Sequence, residues 1–211
     1  MHHRRIAVTL AGLILMLSSS GPVAQSQTTS SIEEIRRELM QLPYYGVFDF
    51  IAFSYEKGAV MLTGYAYSAQ LKADAERAVK RAAGVDDVKD KIEQLPASPT
   101  DDELRWRAYY TIYRDPFLSR YAPGGGMLWG HSHALGGPAL RPYGPGPFLG
   151  LEAAGNYPIH IIVKNGRIRL LGVVDNESDK TTAGIKAREV KGSFGVENDL
   201  MVENTRQSTN D

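Results

Sequence analysis

A hairpin pattern that occurs twice is the feature that most constrains the fold of this chain. Four positions recur with an offset of 108 residues: Gly58, Val60, Leu62 and Gly64 correspond to Gly166, Ile168, Leu170 and Gly172. A polar turn, Glu56-Lys57-Gly58 or Lys164-Asn165-Gly166, separates this strand from a preceding apolar run. Asn-Gly between alternating apolar runs is typical of a β-hairpin, because both residues tolerate positive φ. We therefore expect two hairpins. Their first strands would alternate on Phe48, Phe50 and Ala52 and on Ile159, Ile161 and Val163.

The repeat continues on both sides of the hairpin. Downstream, Leu71, Ala75, Val79 and Ala82 correspond to Asp179, Ala183, Ala187 and Val190, and a glycine follows each set, Gly84 or Gly192. This spacing is that of a helix ended by glycine, and Asp179 makes the second helix the less regular one. A helix also precedes each hairpin: Ile32, Ile35, Leu39 and Leu42, then Leu104, Ala108, Thr111 and Ile112. Each unit therefore reads αββαβ, an α+β fold in which a three-stranded sheet carries its helices on one face.

The ordered motif set resembles the BON domain, a module of bacterial envelope and osmotic-shock proteins that is also called the transport-associated domain. The motifs are Gly58-x-Val60-x-Leu62-x-Gly64 with Gly84-x-x-x-Val88, and Gly166-x-Ile168-x-Leu170-x-Gly172 with Gly192-x-x-x-Val196-x-Asn198-x-Leu200. The resemblance covers most of residues 31–204. It implies two αββαβ modules, no catalytic activity, and binding of phospholipid or envelope partners.

The chain divides into an export segment, two modules and a tail. Residues 1–26 have the pattern of a signal peptide, with Arg4 and Arg5 before a short apolar run and a cleavage site near Ala24. The alternative is an uncleaved N-terminal anchor. If the segment is removed, we expect a soluble protein, periplasmic in a Gram-negative source. The other predicted segments are a disordered leader at 25–30, the first module at 31–95, a stiff linker at 96–99, the second module at 100–204 with an insertion at 119–156, and a polar tail at 205–211.

Composition excludes several classes of function. The chain has no cysteine, so disulfides, thiol catalysis and thiolate metal sites are excluded. Its 24 basic residues balance 24 acidic ones, and loss of Arg4 and Arg5 leaves a net charge of −2. Nucleic-acid binding requires a basic surface, which this balance argues against. The sequence also contains no nucleophile elbow and no P-loop, so we expect no enzyme.

The helix predicted at Asp102–Arg114, capped by Thr100 or Asp101, is the most informative stretch for function. A stripe opposite its apolar face carries Trp106, Tyr109, Tyr110 and Tyr113, with Arg105, Arg107 and Arg114 at the borders. Three covers for this second face remain open: a membrane interface, the other module or another chain, and the insertion that follows. The residues predicted to bind lipid or a partner are Arg105, Trp106, Tyr109, Tyr110, Tyr113 and Arg114, together with Met127, Leu128 and Trp129 of the insertion.

The insertion is rich in glycine and proline, which disfavours long regular structure. It contains His131 and His133, a pair that His160 and Glu152 would complete as a metal site. The flexible surroundings favour solvated histidines, so we predict neither metal nor cofactor. The sequence predicts a non-enzymatic envelope protein whose partner is an anionic phospholipid surface or a membrane-associated protein. The alternative is a structural or stress-protective protein that associates through sheet edges or aromatic faces without lipid. The oligomeric state is left open.

Overall fold

The computed structural model of the protein describes residues 23–122, 141–142, 151–152 and 157–203, and it contains two α+β modules of the same build. The first module contains α1 (Val23–Met40), β1 (Phe50–Glu56), β2 (Ala59–Ala66), α2 (Ala69–Arg81) and β3 (Asp87–Gln94). In the second, α3 (Pro99–Tyr113) and a 3-10 turn (Ser119–Tyr121) are followed by β4 (Arg141–Pro142), β5 (Leu151–Glu152), β6 (Ile159–Lys164), β7 (Arg167–Val174), α4 (Glu177–Arg188), β8 (Gly195–Asn198) and β9 (Met201–Val202). The predicted α+β architecture of two αββαβ modules is confirmed.

The two sheets have the same topology and the same register. In each, the second hairpin strand is central: β2 pairs antiparallel with β1 and parallel with β3, and β7 pairs in the same way with β6 and β8. Strand β9 continues the β8 edge along β7, while β4 and β5 pair only with each other. The turns have the predicted positive φ at Lys57-Gly58 and at Asn165-Gly166, as these tight hairpin connections require.

The glycine that closes each hairpin motif is required by close backbone approach. A β-carbon on Gly64 would lie 2.0 Å from the carbonyl oxygen of Phe50, and one on Gly172 would lie 2.0 Å from that of Pro158. Both glycines also have positive φ, +118° and +123°. The repeat therefore preserves a contact in which only glycine fits.

The predicted phase of β1 is wrong by one residue. Pairing sets Ile51 opposite Gly64, as Ile159 lies opposite Gly172, so Ile51, Phe53 and Tyr55 are the residues on the core side. Phe50 and Ala52 lie on the other face of the sheet. The apolar character of Phe50, which contacts the second module, makes both alternations of this strand look hydrophobic in the sequence.

Each module has its own core between sheet and helices. The first is built from α1, α2 and β2, with Ile35, Leu39, Leu62, Leu71 and Val79 among its buried residues. The second includes Leu104, Ile112, Ile161, Leu170 and Ala183. The predicted apolar faces of α2 and α4 are thus buried as expected. Val47, which belongs to the first module by sequence, is buried in the core of the second.

Several predicted boundaries are corrected. Helix α1 begins at Val23 instead of after a disordered leader at 25–30, because no proline or glycine interrupts residues 23–40. Ser31 is therefore buried inside α1. Helix α3 begins at Pro99, inside the predicted linker, and Ser98 caps it by accepting a hydrogen bond from the Asp101 N–H. The last strand of the second module is divided into β8 and β9.

Asp101, which the sequence offered as a helix cap, instead holds the second hairpin turn. Its carboxylate accepts hydrogen bonds from the N–H groups of Asn165 at 2.9 Å and Gly166 at 2.7 Å. The side chain is buried. Helix α3 is thus fixed to the β6–β7 hairpin at its first turn. Over the described ranges, no helix has the length and apolar character needed to cross a bilayer.

Candidate functional site

Three of the six α3 residues that the sequence predicted for the binding site are buried. Arg105 is 1% exposed and Tyr113 is fully buried, and Tyr109 is also part of the second core. The second stripe of α3 is therefore partly buried within the protein. As placed, these three side chains cannot reach a ligand on the surface.

The buried residues of α3 cap the free edge of strand β6. The Tyr113 hydroxyl donates a hydrogen bond of 2.5 Å to the Ile159 carbonyl, and Arg105 Nη2 donates one of 2.6 Å to the Val163 carbonyl. Between them, the Ile161 N–H donates to the Val47 carbonyl at 2.7 Å. The backbone groups of Ile159, Ile161 and Val163 that point away from β7 therefore have hydrogen-bond partners, although no strand lies beside this edge of β6. Covering an edge in this way prevents its pairing with another chain.

Arg105 also joins the two modules. It forms an ion pair with Asp102, and its guanidinium lies 4.9 Å from the ring centre of Tyr67 in the first module. The Tyr67 hydroxyl completes the cluster with a 3.0 Å hydrogen bond to Asp102 Oδ1. Within the described part of the chain, Arg105 Nε has no hydrogen-bond partner. The cluster stabilises a junction between modules.

The first module covers part of the aromatic face, as one of the three alternatives proposed. Phe48 packs edge-on against Trp106 at 5.2 Å between ring centres, beside the buried Val47. Tyr157 covers the other end, 5.5 Å from Tyr113 and 6.2 Å from Tyr109. Burial raises the pKa of Tyr113 and of Tyr157, so both phenols stay protonated at ordinary pH.

A smaller strip of α3 stays accessible. It consists of Trp106, Tyr110 and Arg114, spaced by four residues along one side of the helix. The Trp106 and Tyr110 rings lie 6.0 Å apart, and the Arg114 guanidinium lies 4.6 Å from the Tyr110 ring centre. Tyr110 is 36% exposed, and Phe117, just after the helix, is 68% exposed. We call Trp106, Tyr110 and Arg114 the α3 strip.

The insertion residues predicted for the site, Met127, Leu128 and Trp129, lie outside the described residues, as do His131 and His133. Of the metal ligands considered, His160 is the one whose side chain is described. Where the structure describes side chains, no group of histidines and carboxylates could hold a metal ion.

His160 is instead part of the junction between modules. Its ring lies 5.5 Å from those of Tyr45 and Phe50, and Nδ1 donates a 3.3 Å hydrogen bond to the Gly46 carbonyl. Burial lowers the pKa of His160 to about 4, while hydrogen bonds to Gly46 and Asp49 oppose that shift. The imidazole is therefore neutral at neutral pH. Two further contacts lie along the same junction. Lys164 forms an ion pair with Glu93, and Arg169 donates a 3.1 Å hydrogen bond to the Tyr65 hydroxyl.

The irregular Asp179 of the repeat has a structural role. It is buried, accepts a 2.6 Å hydrogen bond from the Tyr121 hydroxyl, and forms an ion pair with Arg120. These contacts tie the start of the insertion to α4. An open cavity of about 550 Å³ beside them is lined by Arg120, Tyr121, Pro158, Val173, Asp175 and Glu203. Its arginine is already paired with Asp175 and Asp179.

The role of α3 in the junction between the modules is not evident from the sequence. The available signal was local: Asp102 lies three residues before Arg105, the spacing of a helical ion pair. The partners Val47, Tyr67 and Val163 are distant in the chain, and the helical periodicity contains no information about them.

Comparison with known proteins places the chain in a family. No curated protein sequence matches it. Two solved structures of CdsD, described as a structural protein of the type III secretion system of Chlamydia trachomatis, are similar at 15% and 13% identity. They cover 81% of this chain and 96% and 91% of their own, with TM-scores of 0.25. The family model described as BON domain matches residues 33–96 and 150–204, more than half of the 211 residues, and the chain therefore belongs to the BON domain family.

Proposed function

We propose that this protein is an exported, periplasmic envelope protein that binds anionic phospholipid headgroups through the α3 strip. BON domains are binding modules and not an enzyme family. The predicted signal segment at 1–26 and the family support the location. The observation that carries the proposal is the alignment of a half-buried Trp106 with an exposed Tyr110 and Arg114 along one side of α3.

The chemistry of the strip suits a membrane interface. Tryptophan and tyrosine rings favour headgroup depth because each has an apolar body and a polar edge. Arg114 is exposed and forms no ion pair with the described part of the chain, so its charge remains available for a phosphate. The other arginines of α3 are occupied, Arg105 by Asp102 and Val163 and Arg107 by Glu103 and Lys191.

The proposal is tested by co-sedimentation of the purified protein with neutral and anionic vesicles at low and moderate salt. We expect binding that requires anionic lipid and weakens with salt, because a headgroup contact is screened. Arg114→Gln should weaken binding about fivefold, the effect of one basic residue worth about 1 kcal/mol at an anionic surface. The matched control is Arg36→Gln, which removes an equal charge from α1, where Arg36 pairs only with Glu33 among the described residues.

The aromatic part of the strip is tested separately. Trp106→Ala with Tyr110→Ala should reduce binding further while the circular dichroism spectrum is retained. Unchanged binding in this folded variant, or equal losses for Arg114→Gln and Arg36→Gln, would contradict the assignment of the site. Absence of vesicle binding under every condition would favour a protein partner in the envelope, or the structural alternative without lipid.

A further inference from the structure

The two modules differ in the hydrogen bonding at the free edge of their first hairpin strand, β1 or β6. The register of β1 and β2 matches that of β6 and β7, so Ile51, Phe53 and Tyr55 correspond to Ile159, Ile161 and Val163. In β6, the backbone groups of Ile159, Ile161 and Val163 point away from β7 and form hydrogen bonds with Tyr113, Val47 and Arg105. Across the described ranges, the outward groups of the first set have one partner, the Tyr45 hydroxyl, which accepts from the Ile51 N–H at 3.3 Å.

The sequence of α1 explains the difference. Ser31, Ile35 and Leu39 of α1 are buried with the same four-residue spacing as Leu104, Ala108 and Ile112 of α3, and we align the two helices on this pattern. With that alignment, Ile32 and Met40 stand where α3 has Arg105 and Tyr113. Neither side chain can donate a hydrogen bond to a strand carbonyl. The carbonyls of Ile51 and Phe53 and the N–H groups of Phe53 and Tyr55 are therefore left at an open edge.

The open edge lacks the features that discourage pairing. Natural edge strands are protected by charged side chains, proline, bulges or a covering element. Residues 50–55 of β1 read Phe-Ile-Ala-Phe-Ser-Tyr, with no charge and no proline, and their pairing with β2 is unbroken. The first charged residue is Glu56, at the end of the strand.

We propose that β1 is a homodimer interface, in which the β1 strands of two copies pair antiparallel about a twofold axis at Phe53. This register would align the hydrogen-bonding groups of the two strands: Phe53 with Phe53 of the other copy, and Ile51 with Tyr55. The Tyr55 carbonyl of the other copy would replace the Tyr45 hydroxyl as acceptor for the Ile51 N–H. The two three-stranded sheets would become one sheet of six strands. The strand β1 shares no residue with the α3 strip, so the proposed dimer does not require lipid.

A second copy is favoured as occupant because the strand is complementary to itself. In the twofold register, Ala52 of one copy lies opposite Ser54 of the other, and Phe50 lies opposite Glu56. No charged residue lies opposite a residue of like charge. Near the twofold axis, the side chains on the outer face of the sheet are the small Ala52 and Ser54. A twofold contact of this kind also closes, so it ends at a dimer instead of a filament.

Sedimentation equilibrium of the full chain provides the first test, with two variants that change the same positions. Ala52→Lys with Ser54→Lys places lysines opposite each other twice in the dimer, whereas Ala52→Lys with Ser54→Glu places opposite charges there. Like charges at opposed positions destabilise a strand pair and opposite charges stabilise it. We expect dissociation constants at least about tenfold apart, the Lys/Lys variant being the weaker dimer.

A distance measurement gives the second test, and the absence of cysteine in the chain makes labelling selective. A spin label at Ser54→Cys should show an intermolecular distance below about 20 Å, because the two positions are two residues apart across the paired strands. A monomer at all concentrations would overturn the proposal. A dimer in which both charge variants associate equally, or in which the labels are farther apart, would also overturn it, because the contact would then lie elsewhere. Circular dichroism of both variants controls for folding.

Discussion

At the scale of the residue, Arg105 shows how one side chain holds three parts of the molecule together. It contacts Val163 of β6, Asp102 of its own helix and Tyr67 of the first module. We predict that Arg105→Ala lowers the free energy of unfolding by about 3 kcal/mol, because it leaves the buried Val163 carbonyl and the half-buried Asp102 carboxylate without their cation. Urea unfolding followed by circular dichroism measures the change.

Arg107→Ala is the matched control for this residue. Arg107 is on the same helix, but it is exposed, with an ion pair to Glu103 and a 3.1 Å hydrogen bond to the Lys191 carbonyl. Its loss should cost less than about 1 kcal/mol, as for most surface ion pairs. Equal losses from the two variants would mean that the buried cluster contributes no more than a surface contact.

At the scale of the element, β1 and β6 are equivalent strands with different edges. The Ile161 N–H is bonded to Val47, whereas the corresponding Phe53 N–H has no partner over the described residues. We predict that the Ile161 amide exchanges with solvent on the order of a hundredfold more slowly than the Phe53 amide, because exchange requires that the hydrogen bond open. Hydrogen exchange measured by NMR on dilute, monomeric protein tests this expectation.

The same experiment at higher protein concentration separates the two edges further. Association through β1 would slow exchange at Phe53 and leave Ile161 unchanged. Fast exchange of both amides in the dilute protein would instead mean that segment 46–49 does not stay on β6. The prediction depends only on backbone hydrogen bonds, so it needs no variant.

At the scale of the whole molecule, the junction between modules makes stability depend on pH. The pKa of His160, lowered to about 4 by burial, lies below the ordinary value of 6.5. Between these values the unfolded chain binds the proton more readily, so the stabilising contribution of neutral His160 is present above pH 6.5 and is lost as pH falls toward 4. We expect a loss of about 2 kcal/mol between pH 7 and pH 5 from this residue.

His160→Gln is the control, because an amide can still donate to Gly46 without titrating. Urea unfolding of both proteins at pH 7 and pH 5 isolates the histidine, since Asp49 and the other carboxylates titrate in both. The wild-type protein should lose the additional stability on acidification. Parallel losses would contradict the buried, neutral state of His160 between Tyr45 and Phe50.

The sequence by itself determined the repeat and most of the fold. Period-2 and helical spacings, turn residues with positive φ and closing glycines are local constraints, so the two αββαβ modules and the faces of α2 and α4 were predictable from them. A predicted helix boundary was wrong where a residue that could cap the helix contacts a distant part of the chain. Asp101 accepts hydrogen bonds from the turn at Asn165 and Gly166 instead of capping α3. The predicted alternation of β1 was wrong by one residue because Phe50, which lies on the outer face of the sheet, is apolar and contacts the other module.

Only the tertiary structure decided which side of each element meets which neighbour. Periodicity established that Trp106, Tyr109, Tyr110 and Tyr113 share a side of α3. The approach of Phe48 and Tyr157 decided that Tyr109 and Tyr113 are buried and that a narrower strip is left partly exposed. The capped edge of β6 and the open edge of β1 have the same physical origin. Hydrogen bonds between residues far apart in the chain depend on how the modules pack, and that packing follows from the whole surface of both modules and not from any local pattern.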